Sequence, residues 1–505
     1  MRSDKHADGP FEIGSRLELF VDDTLIARMA GGARLRLHRP VPQDIVLATD
    51  KPWEGNACGY FAIFQDGALY RMYYRGWHYT LTDAGLQTPR PPVVCYAEST
   101  DGVHWVKPEL GLVEFEGSKK NNIILGAREE GDPGEGFAPF RDPNPAVAPG
   151  EQYKAWCVGS KPLGLYPYKS PDGIRWTRMS DTPVITYGAF DSHNVVFYDA
   201  VRGEYRDYHR GGFENGAYAA RKDGSAGGVR GSRWGRDILT STSKDFLHWG
   251  APVYVDYRRG RAGQLYTNGV VPYFRAPHIF IGLPTRYVER PWTDAMDDLP
   301  ELEHRQRRSK VNLRYGTALT ETLLMSSRDG QAFDLWPEAF IRPGLRPTGN
   351  WAYGDNYASW GIVTTRSPIA GAPDELAIYA TEGYWRGEHI ELRRYTLRTD
   401  GFVSVEAPLS GGEIVTRPLI FDGRELVLNF SASAAGSVRV EILRDEVDLP
   451  VEGFALENSR EILGDDLERT VHWAGKSDVG PLRGIPIRLR FVLKDADLFA
   501  FRFRH

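Results

Sequence analysis

Ser99-Thr-Asp-Gly-Val-His-Trp105 is the key to this chain, because it comes back. It returns as Ser170-Pro-Asp-Gly-Ile-Arg-Trp176 and as Ser243-Lys-Asp-Phe-Leu-His-Trp249. Weaker copies are Ser327-Arg-Asp-Gly-Gln-Ala-Phe333 and Arg398-Thr-Asp-Gly-Phe402. The closing aromatics lie 71, 73, 84 and 69 residues apart. An Asp-Gly pair makes a tight turn: glycine accepts positive φ, and the aspartate side chain bonds nearby backbone N–H groups. The aromatic that follows plugs the gap against a neighbouring sheet. Five such turns at a nearly constant period define a repeat.

Upstream of each turn lies a pair of short strands, rich in β-branched and aromatic residues and bounded by turn residues. They read as 60–64 with 69–76, 145–148 with 153–159, 194–198 with 205–211, 269–274 with 278–283, and 361–365 with 376–382. A third strand leads into the aspartate turn, as in Val93-Val-Cys-Tyr-Ala-Glu98. Each unit therefore predicts a four-stranded antiparallel sheet. A ring of such sheets is a β-propeller, which protects strand edges by radial repetition. The expected fold is all-β: a five-bladed β-propeller over 51–405, preceded by a leader over 1–50 with one strand (17–21) and followed by a C-terminal β-sandwich over 406–505. The sandwich follows from period-two alternation in 437–443 and 487–493, with charged residues, mostly arginine, on one face. A tandem of β-sandwiches is the rival arrangement.

The chain of 505 residues carries Lys+Arg 62 against Asp+Glu 67, a formal net charge of −5. This gives no electrostatic reason to expect nucleic acid or an anionic membrane as partner. No apolar run reaches membrane-spanning length. The polar start MRSDKHADGPFEIG has no signal-peptide core, so a cytoplasmic location is expected. Cys58, Cys95 and Cys157 fit no metal spacing. Cys95 and Cys157 lie in apolar strands and read as buried thiols. No cofactor or metal is expected.

In a propeller the first strand of each blade lines the axis, so polar residues just before those strands converge. The candidates are Trp53-Glu54-Gly-Asn56, Arg141-Asp142-Pro-Asn144, Asp191-Ser-His193-Asn194, Tyr266-Thr-Asn268 and Tyr353-Gly-Asp355-Asn356. Carboxylates precede four of the five. Clustered carboxylates separate one another's pKa values, so one acts as acid while another stays ionised. Glycoside cleavage needs that division. The expected catalytic set is Asp142, Asp191, Glu54 and Asp355. Trp53, Asn56, Arg141, His193, Arg286, Tyr353, Glu382 and Trp385 are the expected substrate-binding residues: aromatics to stack on a sugar ring, arginines to clamp hydroxyls or a carboxylate.

This layout resembles the five-bladed glycosidases of glycoside hydrolase families 32 and 43, the β-fructosidases and the arabinanase/xylosidase group. Arg141-Asp142-Pro143 is similar to the Arg-Asp-Pro motif of the fructosidases, and the resemblance implies that Asp142 stabilises the transition state. It implies that Asp191 stands where those families carry the general acid, usually glutamate. Their first-blade aspartate has no counterpart here, and Glu54 is the nearest carboxylate. The expected activity is hydrolysis of a furanoside, a fructoside or arabinofuranoside, in a small glycoside or oligosaccharide. Rivals are phosphorolysis or action on an acidic sugar, favoured by a basic cluster drawn from Arg141, Arg210, Arg286 and Arg386, and a non-catalytic carbohydrate-binding propeller. The C-terminal part either completes the site or makes a contact in a homo-oligomer.

Overall fold

The repeated turn is built the same way in four copies. In the first, Ser99 Oγ accepts from the Gly102 backbone N–H at 3.0 Å, and Asp101 Oδ1 accepts from Val103 and His104 N–H at 2.8 Å each. Trp105 Nε1 then donates to the Gly102 carbonyl at 3.2 Å, closing the turn beneath the indole. Turns 170–176 and 243–249 repeat every one of these bonds, and 327–333 repeats all but the indole's. In the third copy Phe246 replaces glycine at φ 72°, and its ring packs on Trp156 and Tyr205 instead. Burial would raise the carboxyls of Asp101, Asp172, Asp245 and Asp329, but the hydrogen bonds they accept hold all four below the ordinary value of 3.8. A depressed carboxyl stabilises the fold above its unfolded pKa and loses that contribution as pH falls. Urea midpoints are therefore expected to be flat with respect to these turns above about pH 4 and to drop steadily below it.

The turn also clasps the neighbouring sheet. Tyr379 Oη donates to Gly102 O at 2.6 Å, Tyr73 Oη to Gly173 O at 2.9 Å and Tyr208 Oη to Gly330 O at 2.7 Å. Gly102 sits at φ +74°, and a Cβ there would lie 2.9 Å from Thr365 Cγ2 and 3.1 Å from Tyr379 Oη. Gly102→Ala is expected to destabilise by about 1–2 kcal/mol from backbone strain alone, read by chemical denaturation.

The structure is a computed structural model that describes residues 9–82, 85–126, 136–211, 235–260, 263–445 and 447–505. Contacts divide it into two compact units, Pro40–Thr396 and the pair of segments Met1–Arg39 and Leu397–His505. The larger unit holds five principal sheets. Sheet 1 contains Gly59–Asp66, Leu69–Gly76, Val93–Ser99 and Ile123–Leu125. Sheet 2 contains Ala138–Arg141, Tyr153–Ser160, Leu163–Ser170 and Thr177–Arg178. Sheet 3 contains Val195–Asp199, Glu204–Gly211, Asp237–Ser243 and Val253–Tyr254. Sheet 4 contains Val271–Tyr273, Ala276–Gly282, Met325–Ser327 and Ala332–Leu335, with Asp256–Tyr257 added in parallel. Sheet 5 contains Val363–Thr365, Glu375–Glu382 and Glu391–Leu397.

Two assignments differ from the sequence reading. The first strand of sheet 2 is Ala138–Arg141, not 145–148, because the Asp142 and Asn144 side chains turn the chain there by accepting backbone N–H groups two residues on. Sheet 5 takes its fourth strand from Val41–Ala48, far upstream, which pairs antiparallel with Glu391–Leu397. The strand after the fifth turn, Val403–Ala407, does not fill that place because it pairs with Arg34–Leu37 within the smaller unit.

The sheets touch in chain order. Trp156 Nε1 donates to Asn194 O between sheets 2 and 3 at 3.0 Å, and Trp360 Nε1 to Val270 O between sheets 5 and 4 at 2.8 Å. Ile63 N–H donates to Trp360 O at 2.8 Å, joining sheet 1 to sheet 5. Sheet 4 also carries an excursion. A three-stranded ribbon (Gln264–Leu265, Thr285–Val288 and Leu319–Thr322) brackets helices α1 (Asp294–Asp297), α2 (Leu302–Val311) and α3 (Leu313–Thr317).

The smaller unit is one ten-stranded hydrogen-bonded sheet built on two long strands, Glu425–Arg444 and Ile487–Arg504. Val438, Val440, Ile442, Leu489, Phe491 and Leu493 bury one face, while Arg490 reaches Glu413 at 2.5 Å and Glu441 at 3.0 Å on the other, as the alternation predicts. The first residues are no separate leader. Phe11–Gly14, Glu18–Leu19, Ile26–Gly31 and Arg34–Leu37 all pair into this sheet, since apolar Ile13, Phe20 and Ile26 need its core. No helix of the described residues is long and apolar enough to cross a membrane. Cys58, Cys95 and Cys157 are buried and form no disulfide.

Candidate active site

The segments that start the first strands come together, as sheet geometry requires. Gly136, just before sheet 2, approaches Ser192, just before sheet 3, so closely that a Cβ would lie 2.7 Å from the Ser192 carbonyl. Near this end lies a narrow pocket of about 30 Å³ whose wall includes Tyr60 and Arg75 of sheet 1 with Tyr266, Tyr353, Tyr357 and Tyr384 from the segments around sheets 4 and 5. Arg75 is wedged between two rings, its guanidinium carbon 4.6 Å from the Tyr60 centroid and 4.3 Å from Trp77. Burial raises Tyr266, Tyr357 and Tyr384 well above the ordinary phenol value and pushes Tyr353 up to about 12. The wall is therefore a set of protonated phenols, each able to donate to a hydroxyl or an anionic oxygen.

Asp191 does not line this pocket but pairs with an arginine that lies against its wall. Its side chain is 43% exposed, whereas its partner Arg210, 3.3 Å away, is 2% exposed. Arg210 in turn lies over the Tyr266 ring at 4.9 Å. After burial, the Asp191 charge also raises the Tyr266, Tyr353 and Tyr384 hydroxyls, so it lies within electrostatic reach of them. His193, two residues on, is buried between Tyr60 and Trp360, and burial lowers it to about 3, so its ring is neutral. Its Nε2 has no hydrogen-bond partner.

The other three acids do different work. Asp142 lies past the end of its strand, at the opposite end from Gly136, because the strand is Ala138–Arg141. Its Oδ2 accepts from Lys154 Nζ at 2.6 Å and Tyr205 Oη at 2.7 Å, and its Oδ1 from Asn144 N–H at 2.9 Å. Glu54 is fully buried: Oε1 accepts from Tyr74 Oη at 2.5 Å, and Oε2 from Lys107 Nζ at 2.6 Å and Lys51 N–H at 3.0 Å. Asp355 is fully buried behind Tyr353 and Tyr384. It accepts from Tyr384 N–H at 2.9 Å and Ala352 N–H at 3.2 Å, with Arg386 Nη2 at 3.3 Å. Burial raises it to about 6 against the opposing pull of Arg386 and Arg308. Four acids expected in one site thus separate into one beside the pocket, one behind its wall and two inside buried ion pairs.

The expected binding residues divide similarly. Tyr353 lines the pocket, and Trp385 packs behind it against Tyr384 and Tyr353. Asn56 ties sheet 1 to the sheet 5 segment, donating to Tyr79 O and Gly387 O at 3.0 Å each. Trp53 donates to Asn122 at 2.6 Å, Arg141 pairs with Asp66 at 3.2 Å, Arg286 with Glu321 at 2.5 Å and Glu382 with Arg393 at 2.7 Å. None of those four lines the pocket. Arg75, Tyr357 and Tyr384 escape the sequence reading, yet a signal is present. The second strands of sheets 1 and 3 both end in Arg-Gly, Arg75-Gly76 and Arg210-Gly211, and both arginines turn to this site. Among the described residues no group of three His, Cys, Asp or Glu is placed to hold a metal ion.

No protein-family profile matches the chain, and no curated protein matches it. Solved structures do. An N-acetylgalactosamine deacetylase from F. plautii is similar over 72% of this chain and 96% of its own, at 12% identity and TM-score 0.41. A family 43 arabinoxylan arabinofuranohydrolase from Bacillus subtilis is similar over 90% and 96%, at 12% identity and TM-score 0.41. A family 32 β-fructofuranosidase from Bombyx mori is similar over 93% and 94%, at 10% identity and TM-score 0.39. Both families named from the sequence thus occur among the matches. At these levels the matches say nothing of substrate or mechanism, and the functional reading rests on the site.

Proposed function

We propose that the five sheets are the blades of a β-propeller, that the smaller unit is a β-sandwich, and that the tyrosine-walled pocket is the catalytic centre of a glycosidase-type enzyme. Asp191 is its general acid. The observation that carries this is the asymmetry among the four carboxylates: Glu54 and Asp142 are spent in buried ion pairs and Asp355 lies behind the wall, while Asp191 is solvent-accessible beside Arg210 and the phenols. In the reaction, the Asp191 carboxyl gives its proton to the glycosidic oxygen as the C–O bond breaks, a water molecule adds to the anomeric carbon and releases a proton that restores the acid, and the phenols and Arg75 hold the sugar's hydroxyls. A small furanoside, fructoside or arabinofuranoside, is the proposed substrate.

A second reading is favoured by the same asymmetry. Hydrolysis by two protein carboxylates calls for a pair on either side of the bond, and the four acids offer one beside the pocket. Phosphorolysis needs only the acid, since phosphate itself attacks the anomeric carbon and yields a sugar 1-phosphate.

The test is a panel of nitrophenyl furanosides and pyranosides with fructans, assayed with and without inorganic phosphate, using wild type and Asp191→Asn. Cleavage lost in the variant supports the assignment. Product as free sugar or as sugar 1-phosphate decides between the two readings. A wild type inert on the whole panel, or a variant as active as wild type, refutes the catalytic role.

A further inference from the structure

Helix α2 turns two arginines inward, one saturated and one not. Arg305 donates to Pro300 O at 2.8 Å, to Gly316 O at 3.0 Å and to Trp351 O. Arg308, on the same face three residues on, is 2% exposed, and its guanidinium lies over the Trp385 ring at 4.8 Å. Neither Nε nor Nη2 of Arg308 has an acceptor, and Nε1 of Trp385 and Nε of Arg386 lack one as well. Arg386 is engaged through its other nitrogens, by Gly349 O at 2.5 Å, Glu301 at 3.1 Å and Asp355 at 3.3 Å. Arg386 pairs with the buried Asp355 carboxylate, whose charge also acts on Arg305 and Arg308, and Glu301 pairs with Arg386 from the exposed side.

Each buried donor left without an acceptor is costly, and an uncompensated buried charge more so. Burial lowers Arg308 to about 10, and the Arg305 charge adds to that effect while Asp355 opposes it. What the cluster lacks is negative charge and lone pairs together. A planar guanidinium fork with an indole N–H beside it matches two oxygens of one anion.

We propose that Arg308, Arg386 and Trp385 form a binding site for an oxyanion, the carboxylate of an acidic sugar or a phosphate group, behind the Tyr353–Tyr384 wall. The site goes beyond the proposed reaction and does not depend on Asp191.

The test is calorimetric titration of the full chain with inorganic phosphate and, separately, with D-glucuronate, at constant ionic strength in chloride, with D-glucose as the neutral control. Saturable binding of either anion is expected, and which one binds identifies the source. Arg308→Gln is expected to weaken that binding about 10- to 100-fold. Trp385→Phe keeps an aromatic ring beneath Arg308 but removes the N–H together with the five-membered ring, and is expected to weaken it about 2- to 10-fold. If Arg308→Gln does not fold, the Trp385→Phe affinity decides alone. No saturable binding of either anion, or unchanged affinity in the folded variants, overturns the site. Asp191→Asn is expected to keep the anion affinity. If turnover also survives in that variant, the proposed reaction falls and the oxyanion site stands.

Discussion

Asp191→Asn is expected to lower kcat by about 10²- to 10⁴-fold on any glycoside the enzyme cleaves, the range that a positioned general acid contributes. Asparagine keeps the shape and an acceptor for Arg210 but has no proton to give. The loss should depend on the leaving group. Nitrophenolate departs with little protonation, so aryl glycosides should lie at the low end of the range and alkyl-linked sugars at the high end. KM should change little, because the phenols and Arg75 supply the contacts to the sugar. Stability should change little too, because the Asp191 side chain is 43% exposed and its ion pair with Arg210 is screened on one side. Steady-state kinetics on paired aryl and alkyl substrates, with a denaturation curve as control, check all three. A uniform loss across leaving groups would assign Asp191 to some other step.

Asp142→Ala is expected to have the opposite profile: a large loss of stability and little effect on the folded enzyme's kcat. The Lys154 ammonium is 5% exposed, and its 2.6 Å partner is the fully buried Asp142 carboxylate. Removing the acid leaves a buried charge with Tyr205 Oη, 2.8 Å away, and the Tyr205 and Phe246 rings beside it but no counter-charge in contact. Breaking one side of such a pair costs about 3–5 kcal/mol, and removing both sides together restores much of that. Asp142→Leu combined with Lys154→Met should therefore recover most of the stability lost in the single variant. Urea denaturation followed by tryptophan fluorescence measures this. A stable but inactive Asp142→Ala would return Asp142 to the chemistry that its Arg-Asp-Pro motif implies.

The comparison of Asp142 with Asp191 shows where sequence reasoning succeeds and where it stops. Both read as acids preceding a first strand. For Asp191 this holds, because Val195–Asp199 follows it directly. For Asp142 the reading misses by one short strand: the sheet uses Ala138–Arg141, and 145–148 only resembles a strand. That slip moves the carboxylate from one end of the sheet to the other. Short apolar runs carry no mark of which one pairs, since pairing depends on the partner Tyr153–Ser160 and not on the run itself. The fourth strand of sheet 5 is illegible for a related reason: Val41–Ala48 and Glu391–Leu397 are joined by nothing local, only by two edges that each need a partner.

The repeat is written in the chain itself. Ser-x-Asp-Gly turns are local chemistry, with the serine and aspartate oxygens bonding N–H groups within three residues, so their presence, their spacing and the hairpins they close can be read without coordinates. The alternation of the C-terminal strands is legible for the same reason. The fate of each charge is another matter, settled by packing. A carboxylate becomes a buried structural ion, as Glu54 and Asp142 do, or an available acid, as Asp191 does, according to which cation the folded sheet brings to it and whether water still reaches it. Lys107, in a loop beyond sheet 1's third strand, and Lys154, on the strand paired with the one before Asp142, neutralise and bury two of the four acids, and Arg210 leaves the third open to solvent. Burial and pairing are set by contacts across the sheets, and those contacts are not encoded in any one segment.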